Sequence, residues 1–246
     1  MSAPLLEAHD VGIRFGGLQA LSQVSFSVGA GTIACIIGPN GAGKSTFLNI
    51  LTGTLHPTEG SVRVDGVDLA GLSLHAISRL GVARKFQIPS VFPSLSVRQN
   101  VQVAVWGGDK GRRPAERRSE ADILDLIGLT ARAEVPAGTL AHGEKQWLEI
   151  GMLLATNPKL LLVDEPAAGM TDEETHRTGE LLLSLAGKHS LIIVEHDMAF
   201  VKQIAKNGTV TVLHQGSVLC EGSFDEVQSN QKVREVYLGR GKHGNR

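Results

Sequence analysis

A chain of 246 residues, 42% hydrophobic and 20% charged, is long enough for one large domain or for a core domain with an inserted subdomain. Its formal net charge of −1 gives no support for nucleic acid as the main partner. Its two cysteines, Cys35 and Cys220, imply neither a disulfide framework nor a metal cluster, and a reducing cytosol is their natural setting.

Leu5–Phe15 and Gln23–Val28 read as two strands joined through Gly16-Gly17 and a short connection. Phe15 can stack an adenine ring or fill a core, and its spacing leaves both open. Thr32–Ile37 is a short apolar run, β-branched at several positions, and predicts a buried strand with Cys35 as a small core residue. Thr46–Leu51 has helical character and Gly53 stops it. His56–Gly60 is a turn cluster, Ser61–Val64 a strand and Asp65-Gly66 a hairpin turn. Leu74–Leu80 reads as a helix and Val82–Phe86 as a strand. Gln87 then precedes Ile88-Pro89-Ser90 and Phe92-Pro93-Ser94, whose prolines end the strand. From Val97 to about Ala155 the pattern is helical, interrupted by the Gly- and Arg-rich stretch Gly107–Arg118. That stretch is a solvated loop or a basic patch for lipid headgroups or a partner. Leu160–Val163 and Ser190–Val194 are apolar runs of the kind buried on both faces of a parallel sheet. Val210–His214, Gln215-Gly216 and Ser217–Glu221 predict a hairpin, and a short polar helix with Val236-Tyr237-Leu238 closes the chain. No signal peptide and no apolar run near 18 residues is present, so a soluble chain is expected, with any membrane role through a partner.

Between the Thr32–Ile37 strand and the next helix stands Gly38-Pro39-Asn40-Gly41-Ala42-Gly43-Lys44-Ser45-Thr46, a full G-x-x-x-x-G-K-[ST] pattern. Glycines let the backbone wrap an anion with its N–H groups inward, and the helix start adds a positive dipole end. Lys44 supplies a charge for the β- and γ-phosphates and Ser45 a hydroxyl for Mg²⁺. Asp164-Glu165 follows a buried strand, which suits one carboxylate toward the metal and one toward the attacking water. A solvated turn is the alternative for that pair, and the upstream phosphate loop argues against it. His196, at the second polar strand end, can donate to a γ-phosphate; Gln87 can reach Mg²⁺ or water. Each is weak evidence alone. Leu140-Ala141-His142-Gly143-Glu144-Lys145-Gln146 leads into a predicted helix, Trp147–Ala155, and makes a second anion site at a helix start. One chain has little use for two such sites beside one phosphate loop, whereas two chains set head to tail would complete each other's.

With these motifs together, the sequence resembles an ABC-transporter ATPase subunit over nearly its whole length. The resemblance implies a P-loop NTPase α/β core with an N-terminal antiparallel β subdomain (1–87 and 156–246) and an inserted helical subdomain (88–155) that carries the signature. It places Phe15 at the adenine, Gly38–Thr46 as Walker A, Gln87 as the Q-loop glutamine and Leu140–Glu144 as the signature. Leu160–Asp164 then stands as Walker B, Glu165 as the catalytic base and His196 as the switch histidine. ATP and Mg²⁺ are the implied cofactors, with Ser45, Gln87 and Asp164 toward the metal. A second cassette, two membrane permease subunits and, indirectly, a periplasmic binding protein are the implied partners, at the cytoplasmic face of the cell membrane. Arg14–Leu21, Arg84-Lys85-Phe86-Gln87, Lys145–Met152, Glu165–Thr171, Val194–Met198 and Val236–Gly239 are similar to the branched-chain amino acid importer group, and within it to the urea-type subunit. A cassette of another transport class is the first alternative. A ribosome- or DNA-directed ATPase is disfavoured by the single cassette, the lack of sustained heptads and the lack of basic excess.

Three positions depart from the family pattern. Ala141 replaces the usual signature Ser, which should forfeit one hydrogen bond to a partner-bound γ-phosphate, roughly 0.5–1.5 kcal/mol. Glu144 replaces Gln; its charge suits a helix start and not a phosphate, so it is expected to turn aside. Thr171 stands where many relatives carry Asp and, with Glu174 three residues on, can cap the next helix.

Overall fold

The structure, a computed structural model, describes residues 3–85, 90–108 and 118–238. Strands β1 (Leu6–Phe15), β2 (Leu18–Val28), β4 (Glu59–Val64) and β5 (Val67–Asp68) form a four-stranded antiparallel sheet in the order β2-β1-β4-β5. A six-stranded sheet holds β3 (Ile33–Ile37), β6 (Val82–Lys85), β7 (Leu160–Asp164), β8 (Ser190–Glu195), β9 (Thr209–His214) and β10 (Ser217–Gly222), in the order β10-β9-β3-β8-β7-β6. All its pairings are parallel except the terminal β9–β10 hairpin.

Both faces of the parallel strands are apolar, and alternation sorts them. Ala34, Ile36, Leu160, Leu162, Ile192 and Val194 face a core shared with the antiparallel sheet and with α1 (Lys44–Leu51). Ile33, Cys35, Ile37, Leu161, Val163, Leu191 and Ile193 face the other core. That second core is continuous with the helices inserted between β6 and β7: α3 (Val97–Gly108), α4 (Glu120–Leu126) and α5 (His142–Ala155). A short helix, α2 (Leu74–Arg79), precedes β6; α6 (Asp172–Leu185) and α7 (Met198–Ile204) flank β8, and α8 (Phe224–Ser229) and α9 (Gln231–Leu238) end the chain. Trp147 on α5 donates its indole N–H to Thr178 Oγ1 on α6 at 2.8 Å, and Arg177 lies 4.0 Å over its ring, so α5 is held firmly against α6.

Most strands and helices fall where the sequence predicts; β5 and α7 are additions to that expectation, and three element starts differ from it. Strand β2 begins at Leu18 rather than Gln23, because Gly16-Gly17 closes a tight turn that pairs Phe15 with Leu18. Irregular pairing along this hairpin, with positive φ at Asp10 and Gln23, breaks the alternation that would have revealed the first half of β2. Helix α5 begins at His142 rather than Trp147, and α1 at Lys44 rather than Thr46. Gly143 masks the first of these in the sequence, since a glycine is a poor helix former, yet here it is buried with Glu174 across from it. Thr171 caps α6 as expected, its hydroxyl accepting from Glu174 N–H and Glu174 answering at Thr171 N–H.

Candidate functional site

The C-terminal ends of β3, β7 and β8 bring the candidate residues to one edge of the parallel sheet, where α/β sheets bind ligands. Beyond β3 the chain turns through Gly38–Gly43 into α1. Two of these glycines are demanded by packing. A Cβ on Gly38 (φ 154°) would lie 2.2 Å from the Leu213 carbonyl oxygen of β9. One on Gly43 (φ 103°) would lie 2.5 Å from Leu21 Cδ2 of β2. The loop is therefore pressed against its neighbours, with the first turn of α1 opening into a groove of about 670 Å³. The loop residues Asn40, Gly41, Ala42, Gly43, Lys44, Ser45 and Thr46 line it, with Phe15, Leu18, Glu165 and Gln215-Gly216. Phe15 is 47% exposed, a ring left at the groove and not in the core. Lys44 is buried, and its ammonium donates to the carbonyls of Gly38 at 2.7 Å and Pro39 at 3.2 Å. Gly38 and Pro39 thus hold the lysine from behind while the rest of the loop faces the groove.

Asp164 ends β7, and its Oδ2 accepts from Arg84 of β6 at 3.2 Å. The other arm of that guanidinium donates to Asn49 Oδ1 on α1 at 2.6 Å, so Arg84 ties the strand-end carboxylate to α1. Glu165 follows with φ +46°, a backbone conformation uncommon for a non-glycine residue, anchored by its N–H to Val194 O at 2.9 Å. His196 Nδ1 lies 3.5 Å from Glu165 Oε1. Behind them, the buried Glu195 accepts from Ala167 N–H at 3.0 Å and His196 N–H at 3.0 Å, and so shapes both turns. Burial pushes its carboxyl above the usual range, and these N–H donors pull the other way.

Ala141 is the N-cap of α5, extended at φ −61° and ψ 164°, and Ala141 and His142 are exposed. None of Ala141, His142, Gly143 and Glu144 lines this groove. Glu144 turns back as expected: its carboxylate accepts from Ala141 N–H at 3.0 Å and lies 3.6 Å from Arg132. His142 reaches the Ala168 carbonyl, just after Glu165, at 3.2 Å. Gln87 lies outside the described residues, as does most of Gly107–Arg118. In the sequence alone Arg84 and Glu195 carry no site role of their own, because their partners are distant in the chain, and Gln215-Gly216 reads only as a hairpin turn.

The family model for ABC transporters matches residues 21–168, and that for branched-chain amino acid ATP-binding cassette transporters matches 217–243. The chain belongs to the ABC transporter family. It is an ABC ATPase, an ATP-hydrolysing subunit of the branched-chain amino acid transporter group. The high-affinity branched-chain amino acid transport ATP-binding protein BraF of Pseudomonas aeruginosa is 37% identical, over 97% of this chain and 99% of that protein. LivG of Escherichia coli, of the same description, is 36% identical over the same shares. Among solved structures, the ADP conformation of an ABC-transporter cassette superposes with a TM-score of 0.83 at 30% identity, over 97% of this chain and 100% of that one. A dimeric post-hydrolysis cassette bound to ADP and Pi gives 0.75 at 25% identity, over 89% of this ABC ATPase and 98% of that chain. Among the described residues no helix is long and apolar enough to cross a membrane.

Proposed function

We propose that Phe15, Gly38–Thr46, Gln87, Asp164, Glu165 and His196 form one half of an ATP site, and that Ala141–Glu144 of a second cassette forms the other half. One observation carries this reading: the exposed start of α5 takes no part in the groove that α1 and Glu165 share, so it is available to another chain's phosphates. Phe15 stacks the adenine, and the loop with Lys44 grips the phosphates. Glu165 orients and polarises the attacking water, and His196, beside it, donates to the γ-phosphate. Mg²⁺ fits the donor set, since Ser45 in the groove and Asp164 at the strand end are hard oxygen donors and a phosphate-bound Mg²⁺ takes one or two protein ligands. Ser45 and Gln87 would hold it directly and Asp164 through water, and when bound it would neutralise charge on the β- and γ-phosphates. Changing Glu165 to Gln is expected to leave ATP binding intact and abolish turnover; normal hydrolysis by the purified variant refutes the assigned base.

In this reading residues 1–87 and 156–246 are the nucleotide-binding unit and 88–155 the unit that meets two permease subunits on the cytoplasmic membrane face. The physiological mate is a second, different cassette, and a periplasmic binding protein delivers the solute. Two solutes are in contention. The resemblance of Arg14–Leu21, Arg84–Gln87, Lys145–Met152, Glu165–Thr171, Val194–Met198 and Val236–Gly239 to the urea-type subunit supports urea or a related amide. The names of BraF and LivG support a branched-chain amino acid. Co-purification with the membrane subunits, followed by ATPase assay with urea-loaded and leucine-loaded binding proteins, separates them; stimulation by neither refutes both.

A further inference from the structure

The segment that carries Gln87 is flanked by two fixed points, and one carboxylate holds both. Before it, Lys85 ends β6 fully buried, with its ammonium 3.6 Å from Glu149 Oε2. After it, the Ser90 backbone N–H donates to Glu149 Oε1 at 3.2 Å. Glu149 sits about two turns into α5, the helix that opens with the signature, and is itself buried. Two residues past Ser90, Phe92 is pinned by the buried Asn100 of α3, which accepts from Phe92 N–H at 2.8 Å and donates to its carbonyl at 3.0 Å.

Stability is a poor reason for such a pair. Burial raises the Glu149 carboxyl and lowers the Lys85 ammonium, and the attraction between them only opposes those shifts. Buried ion pairs can often be replaced by apolar side chains of similar size without loss of stability. What an apolar pair cannot supply is direction, because only an acceptor can hold Ser90 N–H and Lys85 at once.

We propose that Glu149 is a positioning residue for ATP hydrolysis, tying both flanks of the Gln87 segment to the signature helix so that the glutamine and the signature stay in register. The proposal rests on the reading of Gln87 given above. The test compares Q87A, K85M/E149M and the triple variant, each as the full chain co-purified with its membrane subunits. K85M/E149M should keep its melting temperature and its affinity for a fluorescent ATP analogue while its kcat falls about tenfold, since a 1 Å misplacement can cost on the order of a hundredfold. The triple variant should be no slower than Q87A alone. E149Q, which keeps shape and the Ser90 acceptor but loses the charge, should show a smaller loss, with E149Q/Q87A no slower than Q87A alone, and serves if the paired variant does not fold. Impaired Q87A beside full turnover in the paired variant, or losses that multiply, overturns the proposal alone. Normal turnover in Q87A refutes the reading of Gln87 and the proposal with it.

Discussion

Restoring a hydroxyl at position 141 should strengthen two things at once. Ala141 already has the extended backbone of an N-cap, and Glu144 already makes the return half of a capping box at its N–H. The forward half, a side-chain oxygen accepting from Glu144 N–H, is missing because alanine has no oxygen. Serine in place of alanine at such a position gains about 1 kcal/mol. In a chain of this size each kcal/mol moves the melting temperature by about 2–4 °C, so A141S should melt roughly 2–4 °C higher. While accepting from Glu144 the same hydroxyl can donate its proton to a partner-bound γ-phosphate. One such bond contributes roughly 0.5–1.5 kcal/mol, or about two- to thirteenfold in association per site. Both are read in the E165Q background with ATP, the first by thermal unfolding and the second by the concentration dependence of dimerisation in light scattering. Higher melting without tighter association refutes the placement of position 141 against a partner's phosphate. No change in either refutes the cap argument as well.

Three further outcomes follow from the packing. G38A should be destabilised by about 3 kcal/mol or fail to accumulate, since its Cβ would meet the Leu213 carbonyl at 2.2 Å in a tightly packed loop; urea unfolding within 0.5 kcal/mol of the parent contradicts that reading. R84A strips Asp164 of its cationic neighbour in a site where both side chains are mostly buried, and a loss of about 3 kcal/mol in chemical denaturation is expected, against no change if solvent already satisfies the carboxylate. Burial pushes the Cys35 thiol up to about 12 from 9.0. The folded chain then keeps a proton that the unfolded chain loses, so this thiol's stabilising contribution is full below pH 9 and falls by up to about 1.4 kcal/mol per pH unit above it. C35A should show a shallower decline between pH 9 and 10 than the parent, and parallel declines count against the shift.

The loop Gly38–Thr46 was legible as a candidate phosphate cradle because that chemistry is contiguous: nine consecutive residues offer the turn, the charge and the hydroxyl. The strands on either side were legible because burial on both faces leaves an unbroken apolar run. What escaped is the wiring between elements. Arg84 and Asp164 are 80 positions apart, and Glu195 and Ala167 are 28 apart. They meet only because β7 lies between β6 and β8, an order no local pattern announces. The start of β2 escaped for a local reason, since bulged pairing scrambles the period of two on which strand recognition depends.

Strand parity connects these losses to the site. In β6, Val82 packs into the core beneath α1 and the antiparallel sheet, while Ala83 packs against the core of the inserted helices. Alternation then sends Arg84 to the first side and Lys85 to the second. Arg84 accordingly meets Asn49 and Asp164, and Lys85 meets Glu149. In β7 the same alternation takes Leu160 and Leu162 to the α1 side, and Asp164 with them. A slip of one residue in β7 would turn Val163 toward the α1 side and Asp164 toward the core of the inserted helices, away from Arg84. The apolar residues of β6 and β7 therefore do more than fill two cores. By fixing register they decide which of two adjacent cations faces α1 and Asp164 and which faces Glu149 on α5.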